Sequence, residues 1–554
     1  MTKILILGGY GTFGGRLAQL LADEPRLTLV IAGRSHRKAE QFCNKLFSAA
    51  ALTPLAIDRN GNLEEQLKLI SPDIVVDASG PFQAYGNDPY RVVKACIALG
   101  IHYLDLADGS DFVKNIRQFD DAAKQRGLFI LSGASSFPVL TSAVVRHLAQ
   151  GMDKVKTITA GIAPSPYAGV GLNVIRAVMS YAGKPISLIR NGRKAIGYGL
   201  TETMRYTIAP PGKLPLRNLH FSLVDVPDLQ LLPDDYPALE SIWIGVAPVP
   251  AILHRMLNAL AVLVKKGLMP SLLPYAGFMH RVINILRWGE HRGGMFVSVT
   301  GTDSSGVTLE RSWHMLAEGD DGPMIPSMAV EGIIRKLLGG ETPSPGARAA
   351  TLELSDYNTL FRRRTIYTGV RNLSALPENA PLYQRMLQDA WQELPPAIRD
   401  MHTLYDTKSA SGKATVERGP HPLARFVAAC IGFPSAGEDV PVTVTFRLEN
   451  RKEIWQRNFA GQRFHSIQSE GTGRMAGLLC EQFGPFTFGL ALVLKEGRLT
   501  LIVRRWSLCG IPLPASLAPS GESFEYADNG RFRFHVEIKH PLTGLIVRYR
   551  GWLE

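Results

Sequence analysis

The sequence predicts an α/β chain with a doubly wound parallel sheet first and an antiparallel β domain, a barrel or a sandwich, last. Over the first 135 residues, short apolar runs alternate with helical patterns, which is typical of a parallel sheet covered by helices. A glycine-rich turn directly follows the first apolar run, at residues 8–14. Beyond residue 379, apolar and polar residues alternate strictly, which is typical of antiparallel strands.

The first predicted domain spans residues 1–135 and carries the clearest strand signals. Strands are expected at 3–8, 27–32, 73–78 and 128–131, and helices at 13–21, 38–46 and 90–99. A doubly wound parallel sheet binds its ligand beyond the carboxyl ends of its strands. The residues that follow these runs are therefore the candidate site residues.

A second α/β domain is expected at residues 136–370, with strands at 157–162 and 295–301 and a helix at 327–338. Its most apolar stretch, 249–288, is cut by cations into uncharged segments too short to span a bilayer, namely by Arg255, Lys265, Lys266 and Arg281. Two amphipathic helices packed on the domain core are therefore predicted. The alternative is a helical pair that lies on a bilayer or lines an apolar pocket.

The third predicted domain, residues 379–554, consists of β-strands. Residues 440–448 and 531–538 alternate apolar and polar positions, so each presents one apolar face. The runs 486–494 and 498–506 flank a short turn, and 545–549 follows 531–538 after another turn. Both pairs are therefore predicted to form hairpins.

Composition narrows the class of protein. The five cysteines are scattered and form no C-x-x-C pair, which argues against a disulfide framework and a metal site and favours a reducing compartment. The net charge of +12 is spread along the chain, without the aromatic-interleaved basic run of nucleic-acid binders. The first residues lack the features of a signal peptide. We expect a cytoplasmic protein that does not bind nucleic acid.

The glycine-rich turn has the G-x-G-x-x-G pattern of dinucleotide-binding Rossmann domains. It lies between the first predicted strand and the first helix, where tight turning and close approach to a pyrophosphate require glycine. The alternative is a merely structural turn. The residues predicted to bind the cofactor here are Gly8, Gly9, Tyr10, Gly11, Thr12, Phe13 and Gly14.

The end of the second strand predicts NADP(H) as the cofactor. NAD enzymes carry an acidic residue there, whereas this chain has Arg34, Ser35 and Arg37. The arginines would pair with a 2′-phosphate and the serine would donate to it, unless all three belong to a solvated loop. Asp58 is placed to meet the adenine amino group. After the next strand, the segment expected near the nicotinamide is Ser79, Gly80 and Pro81.

Three segments of the first 140 residues resemble the saccharopine dehydrogenase-like NADP-binding family. They are VVDASGPF at 75–82, VVKAC at 92–96 and GIHYLDL at 100–106. The resemblance implies an NAD(P)-dependent oxidoreductase fold with an inserted α/β substrate domain whose chain returns to the first domain. Members act on amino-acid, polyamine or lipid substrates. The third domain resembles an uncharacterised domain fused to such proteins.

One position departs from the family. Relatives carry an acidic residue where this chain has Ser135, which cannot titrate near neutrality. The candidate proton donors at the end of the fifth strand are instead Tyr103 and Asp105. The alternative is that both residues orient loops and cap the following helix.

The sequence therefore predicts an NADP(H)-dependent oxidoreductase that reduces a C=N, C=O or C=C group. The apolar stretch at 252–286 favours an apolar or lipid-like small-molecule substrate and peripheral contact with the inner membrane surface. A homodimer is also compatible with the sequence. The alternative function is a catalytically silent protein that senses NADP or binds lipid. The aromatic residues that would line a cavity in the β domain, or else fill its core, are Phe446, Phe486, Phe488, Phe532 and Phe534.

Overall fold

The computed structural model describes residues 1–248 and 250–554. Val249, at the edge of the predicted apolar stretch, lies outside the described residues. The chain divides into two compact units, and the first comprises Met1–Met204, His220–Glu310 and Ala317–Ile366. The second comprises Arg205–Leu219, Arg311–Leu316 and Tyr367–Glu554. The first two predicted domains thus fall mainly in one unit, apart from residues 205–219, 311–316 and 367–370.

The first sheet is parallel and doubly wound, as predicted. Its strands are β1 (Thr2–Leu7), β2 (Leu27–Gly33), β3 (Ala51–Ala56), β4 (Ile74–Asp77), β5 (His102–Asp105), β6 (Phe129–Ser132) and a late strand, β15 (Gly346–Ala349). They are ordered β15-β6-β5-β4-β1-β2-β3. Since β15 pairs with β6, the chain returns to the first domain as the family resemblance implies.

Helices cover both faces of this sheet. They are α1 (Thr12–Leu21), α2 (His36–Cys43), α3 (Leu63–Ile70), α4 (Arg91–Leu99), α5 (Ser110–Asn115), α6 (Asp120–Gln125), α7 (Thr141–Leu148), α12 (Ile325–Leu338) and α13 (Leu354–Phe361). Helix α1 buries Leu17, Leu20 and Leu21. Helix α12 packs beside it, and the Ser327 hydroxyl donates to the Phe13 carbonyl at 3.1 Å. This contact fixes the helix that follows the glycine-rich turn.

The second sheet is mixed. Its strands are β7 (Lys154–Ala163), β10 (Thr203–Tyr206), β11 (Leu219–Leu223), β12 (Ser241–Val246), β13 (Arg292–Thr302), β14 (Thr308–Glu318) and β16 (Ile366–Asn372). The order is β10-β11-β12-β7-β13-β14-β16. Strand β7 is parallel to β12 and antiparallel to β13. A separate hairpin is formed by β8 (Pro185–Arg190) and β9 (Arg193–Tyr198).

Four helices accompany these strands in the first unit: α8 (Leu172–Tyr181), α9 (Asp228–Asp235), α10 (Ala251–Lys265) and α11 (Ala276–Ile285). The last two are the predicted amphipathic pair. Helix α10 buries His254, Leu257 and Ala261, whereas α11 buries only Ala276. None of the described helices has the length and apolar character that crossing a membrane requires.

The C-terminal β domain is a closed barrel. Two helices, α14 (Leu382–Leu387) and α15 (Pro396–His402), precede the first barrel strand in the chain, and α16 (Pro422–Ile431) follows it. The strands are β17 (Thr407–Arg418), β18 (Gly437–Glu449), β19 (Lys452–Phe459), β20 (Gln462–Glu470), β21 (Leu479–Phe483), β22 (Phe486–Lys495), β23 (Arg498–Leu508), β24 (Ile511–Pro512), β25 (Ser523–Asp528), β26 (Arg531–His540) and β27 (Gly544–Leu553).

Antiparallel pairing runs from β22 through β17 and β27 to β23, and β22 also pairs with β23. The pairings of β17 with β27 and of β22 with β23 together close the ring of strands, so the barrel alternative is confirmed over the sandwich. Both predicted hairpins are present as β22–β23 and β26–β27. The inward faces carry most of the predicted aromatic residues, and Phe446, Phe532 and Phe534 are buried.

Candidate functional site

A cavity of about 720 Å³ lies at the carboxyl ends of the strands of the first sheet, within the first unit. This is the position that a doubly wound sheet gives to its ligand. The predicted cofactor residues that line it are Gly8, Tyr10, Gly11, Thr12, Phe13, Arg34, Asp58, Ser79, Gly80 and Pro81. The structure thus brings together residues from four separate loops.

The glycine-rich turn forms one wall of this cavity. The Gly9 N–H donates to the Ala32 carbonyl at 2.9 Å, and the Gly11 N–H donates to the Gly8 carbonyl at 2.8 Å. A Cβ on Gly14 would lie 2.4 Å from the Gly8 carbonyl oxygen, so the turn and the helix can approach only without a side chain. Gly8 itself has a φ of 74°. The result is a bare backbone surface at the N-terminus of α1, which suits a pyrophosphate.

The loop after β2 presents one cation to the cavity. Arg34 lines the cavity and is exposed, whereas Ser35 and Arg37 are absent from its wall. Ser35 caps α2, because its hydroxyl oxygen accepts the Lys38 N–H at 3.4 Å. The Tyr10 hydroxyl accepts the Ser35 N–H at 3.1 Å, which holds this loop against the glycine-rich turn.

A second cation in the cavity wall is Arg59, which directly follows Asp58 and was not predicted as a site residue from the sequence. Its guanidinium lies 3.6 Å from the Tyr85 ring centroid and 3.5 Å from the Ser79 hydroxyl. Cation–π contact with a partly buried ring is favourable and orients the arginine into the cavity. The signal for it was the cation directly after the predicted adenine-binding residue.

The segment at residues 79–81 is held by the carboxylate at the end of β4. Asp77 accepts the Ser79 N–H at 3.0 Å, the Ser79 hydroxyl at 2.6 Å and the Tyr85 hydroxyl at 3.1 Å. The Gly80 carbonyl accepts the Asn173 side-chain amide at 2.9 Å. This buried carboxylate therefore positions Ser79, which faces the cavity.

The two predicted proton donors do not line the cavity. Tyr103 is 1% exposed and lies in the apolar core between the sheet and its helices. Asp105 accepts the Gly133 N–H at 2.7 Å, the Ala107 N–H at 2.9 Å and the Ser132 hydroxyl at 3.0 Å. Burial raises the pKa of Asp105 to about 7. The geometry favours the alternative that these residues order loops, since neither reaches the site, and their proton-donor role stays a prediction.

The cavity contains a different acidic pair, Asp108 and Asp225. Burial raises the pKa of Asp108, and the neighbouring Asp225 raises it further. Burial likewise raises the pKa of Asp225, against the lowering effect of the Ser110 hydroxyl, which donates to it at 2.7 Å. Burial is thus the main cause of both raised pKa values, and the like charge that adds to it is Asp225 for Asp108 and Asp111 for Asp225.

Tyr181, at the end of α8, completes this group. It lines the cavity, and its pKa is raised well above the ordinary value by burial and then by Asp108 and Asp225. Its hydroxyl is therefore neutral and can donate a hydrogen bond. Ser135 also lines the cavity. At the position where relatives carry an acidic side chain, this chain therefore presents a hydroxyl group to the cavity.

The remaining wall, on the side of the second sheet, is mostly apolar, and its polar residues on α8 are Asn173 and Arg176. Helix α8 contributes Leu172, Val174, Ala177 and Val178, and the loop around Asp225 contributes Val224 and Val226. The site therefore combines two parts. One consists of the glycine-rich turn with Arg34 and Arg59, and the other of Asp108, Asp225 and Tyr181 beside mostly apolar side chains.

Two family comparisons match separate parts of the chain. Residues 4–131 match the saccharopine dehydrogenase NADP binding domain, which confirms the resemblance in that segment. Residues 394–553 match a domain of unknown function, DUF4166, which corresponds to the barrel. No curated protein matches the chain. Over residues 4–131, the parallel sheet, the glycine-rich turn and the family match together give the fold of a saccharopine dehydrogenase-like NADP-binding domain.

Several solved dehydrogenases are similar to the chain at low identity and low TM-score. Saccharopine dehydrogenase (L-Glu forming) from Saccharomyces cerevisiae is 13% identical, covering 67% of this chain and 100% of its own, with a TM-score of 0.47. A meso-dapdh mutant from Clostridium tetani is 16% identical, covering 64% and 96%, with a TM-score of 0.32. The WlbA dehydrogenase from Thermus thermophilus, solved with NAD, is 12% identical, covering 62% and 90%, with a TM-score of 0.28.

Proposed function

We propose that the protein is an NADP(H)-dependent oxidoreductase that reduces a C=N, C=O or C=C group on an apolar or lipid-like acceptor. The observation that carries this proposal is one cavity that joins the glycine-rich turn to the pair Asp108 and Asp225. When bound, NADP(H) supplies the hydride. The backbone at residues 8–14 fits its pyrophosphate, since a Cβ on Gly14 would fill the turn.

The acidic pair supplies the proton. An acceptor that has taken up a hydride needs one proton at the neighbouring atom. The carboxyl group of Asp108 or Asp225, whose pKa burial raises, donates it, and the resulting carboxylate takes up a proton from water. Tyr181 orients the acceptor by donating a hydrogen bond from its neutral hydroxyl. The apolar wall from α8 holds the rest of the substrate.

The alternative function is a protein that binds NADP(H) without turning it over. Ser135 favours this alternative, because the cavity wall has a hydroxyl where relatives carry an acid. Incubation of the purified chain with NADPH and a panel of imino acids, ketones and enoyl lipids tests both. We expect oxidation of NADPH with at least one apolar acceptor. Tight NADPH binding with no oxidation across the panel would contradict the enzyme and support the binding protein.

Arg34 is expected to select NADPH over NADH. Its charge lies at the cavity end where a 2′-phosphate would bind, so Arg34→Asp should weaken NADPH binding at least about tenfold, or about 1.4 kcal/mol, and leave NADH binding unchanged. Nicotinamide fluorescence titration measures both affinities. Lys38→Asp makes the same charge change on the exposed face of α2 and should have little effect. Stronger binding of NADH than of NADPH by the wild type would contradict the selection.

We also propose that α10 and α11 contact an anionic membrane surface. Residues 250–289 contain five lysines and arginines and no acidic residue. Their exposed apolar side chains include Ile252, Met256, Leu268, Phe278, Ile285 and Trp288, each more than half exposed. Cations beside exposed apolar groups are the pattern of helices that lie in the bilayer interface.

Sedimentation with phosphatidylserine vesicles tests this contact. The protein should pellet at low salt and be released at high salt, because the electrostatic part of the attachment is screened. A Phe278→Asp, Ile285→Asp double variant should stay in the supernatant. Ile196→Asp, at an exposed apolar residue of β9, should pellet like the wild type. A wild-type protein that remains in the supernatant at low salt would contradict the proposal.

A further inference from the structure

The barrel of the second unit contains a cavity of its own. It has a volume of about 350 Å³, within the range of small-molecule pockets, and is lined mainly by apolar side chains from the strands and from α16. A barrel of eight strands is just filled by its side chains, and this ring has more strands than that. The closed fold therefore leaves space that the core does not use.

The cavity is long. Strand β26 lines it from Phe532 to His540, mostly through every second residue, with His535 and Glu537 as additions from its other face. Eight residue steps along an antiparallel strand span about 27 Å. Val503 and Val536 point inward and line the same space, yet they remain only partly buried. An elongated apolar space with accessible walls suits a chain-like ligand.

Aromatic rings form part of the wall. Phe486, Phe488 and Trp506 lie in a row, with the Phe488 and Trp506 rings within 3° of parallel and 6.4 Å apart. Helix α16 adds Leu423, Val427 and Ile431, which are spaced four residues apart and so lie on one helical face. The wall thus offers dispersion contacts rather than directed hydrogen bonds.

The polar residues inside the barrel bind one another. Arg457 donates to the Ser466 hydroxyl at 2.8 Å and to Glu481 at 3.3 Å. Gln468 donates to the same carboxylate at 3.1 Å and accepts the Tyr383 hydroxyl at 3.0 Å. The arginine and the carboxylates of the lining therefore each have a partner: Arg457 with Glu481, Glu525 with His402, and Glu537 with Arg548. A ligand in this cavity needs an apolar chain and no buried counter-charge.

The barrel also has a seam of short strand pairing, which residues 513–522 cover through backbone hydrogen bonds between Ser520 and Lys539. Strands β23 and β25 pair only through Leu499–Glu525 and Thr500–Phe524, whereas β22 and β23 pair along their whole length. Residues 513–522 run past this gap, with the Trp506 indole donating to the Pro514 carbonyl at 2.9 Å. Ser520 and Gly521 of this segment line the cavity.

From the length and the lining, we infer that the barrel binds a long-chain aliphatic lipid in its interior. The binding does not depend on the proposed oxidoreductase activity. The assay uses the full-length protein and a fluorescent dansyl-undecanoic acid, with hexadecanoic acid and hexadecanol as competitors. We expect saturable binding of the probe and displacement by both competitors, because the interior charges are already paired.

Two cavity-filling variants and one control make the inference falsifiable. Val503→Trp and Val536→Phe should each weaken probe binding, the first at least about tenfold. Thr445→Trp adds the same ring on the outer face, where Thr445 contacts the Ser409 hydroxyl at 2.9 Å, and should bind like the wild type. Circular dichroism checks that each variant is folded. If Val503→Trp does not fold, the result for Val536→Phe decides the test.

Non-saturable binding by the wild type, or unchanged binding by the folded cavity variants, would overturn the inference. An NADPH titration of the same samples reports the first unit separately. Failure of the lipid site and failure of the cofactor site therefore give different results.

Discussion

Replacing Asp108 and Asp225 together by asparagine should lower kcat by about 10²- to 10⁴-fold, the usual contribution of general acid catalysis, while NADPH binding stays intact. Both carboxyl groups line the cavity, and burial raises the pKa of each. Asparagine keeps the shape of the side chain and cannot release a proton. Steady-state kinetics with the best acceptor of the panel, together with an NADPH titration, measure the two effects.

The pH profile separates proton donation from a structural role. An acid with a raised pKa is active in its protonated form, so the rate of reduction should fall as pH rises through that pKa. The double variant should lose this dependence. Asp228→Asn is the matched control, because burial raises the pKa of Asp228 to about 7 although its side chain does not line the cavity. Equal loss of activity in that control, or an unchanged pH profile in the double variant, would contradict the assignment.

Gly14→Ala should weaken NADPH binding at least about a hundredfold, or about 2.7 kcal/mol. The added Cβ would lie 2.4 Å from the Gly8 carbonyl oxygen and 2.9 Å from the Gly9 Cα. Both neighbours are backbone, so the turn itself must open and the surface for the pyrophosphate is lost. A fluorescence titration with NADPH measures the change.

Gly322→Ala controls for the general effect of adding a methyl group. Its Cβ would meet only the Ala317 Cβ at 3.4 Å, which is an ordinary van der Waals contact. This variant should bind NADPH like the wild type. If Gly14→Ala also does so while remaining folded, the glycine-rich turn is not the cofactor site.

The cofactor end of the site could be predicted from the sequence because its residues follow one another in short motifs. The turn at residues 8–14 and Arg34 each lie at the end of a clear strand. Asp108 and Asp225 are separated by more than a hundred residues and lie in no motif, and only the folded chain brings them together. Local sequence patterns therefore predict only those site residues that lie close together in the sequence.

Tyr103 shows a second limit of the sequence. It was chosen because it lies near the end of β5, but successive side chains of a strand point to opposite faces of the sheet. Its side chain packs in the apolar core, whereas residues beyond the strand end reach the cavity. In a parallel sheet buried on both faces, hydrophobic periodicity does not tell which face leads to the site.

The barrel could not be separated from a sandwich for a related reason. Both predicted hairpins exist in either fold. The decision rests on the pairing of β17 with β27, between residues more than a hundred positions apart. Strand β15 was also missed, since its four residues include a glycine and an arginine and carry no apolar run.

Strand β15 has a consequence for how the protein is made. It completes the first sheet by pairing with β6, although more than two hundred residues separate the two strands. A nascent chain emerges at about 5–20 residues per second, so β6 waits tens of seconds on the ribosome for its neighbour. Until then its outer edge has unpaired backbone groups that other strands can join. The edge strand of the first sheet is therefore the part of this domain that stays open to wrong pairing for longest during synthesis.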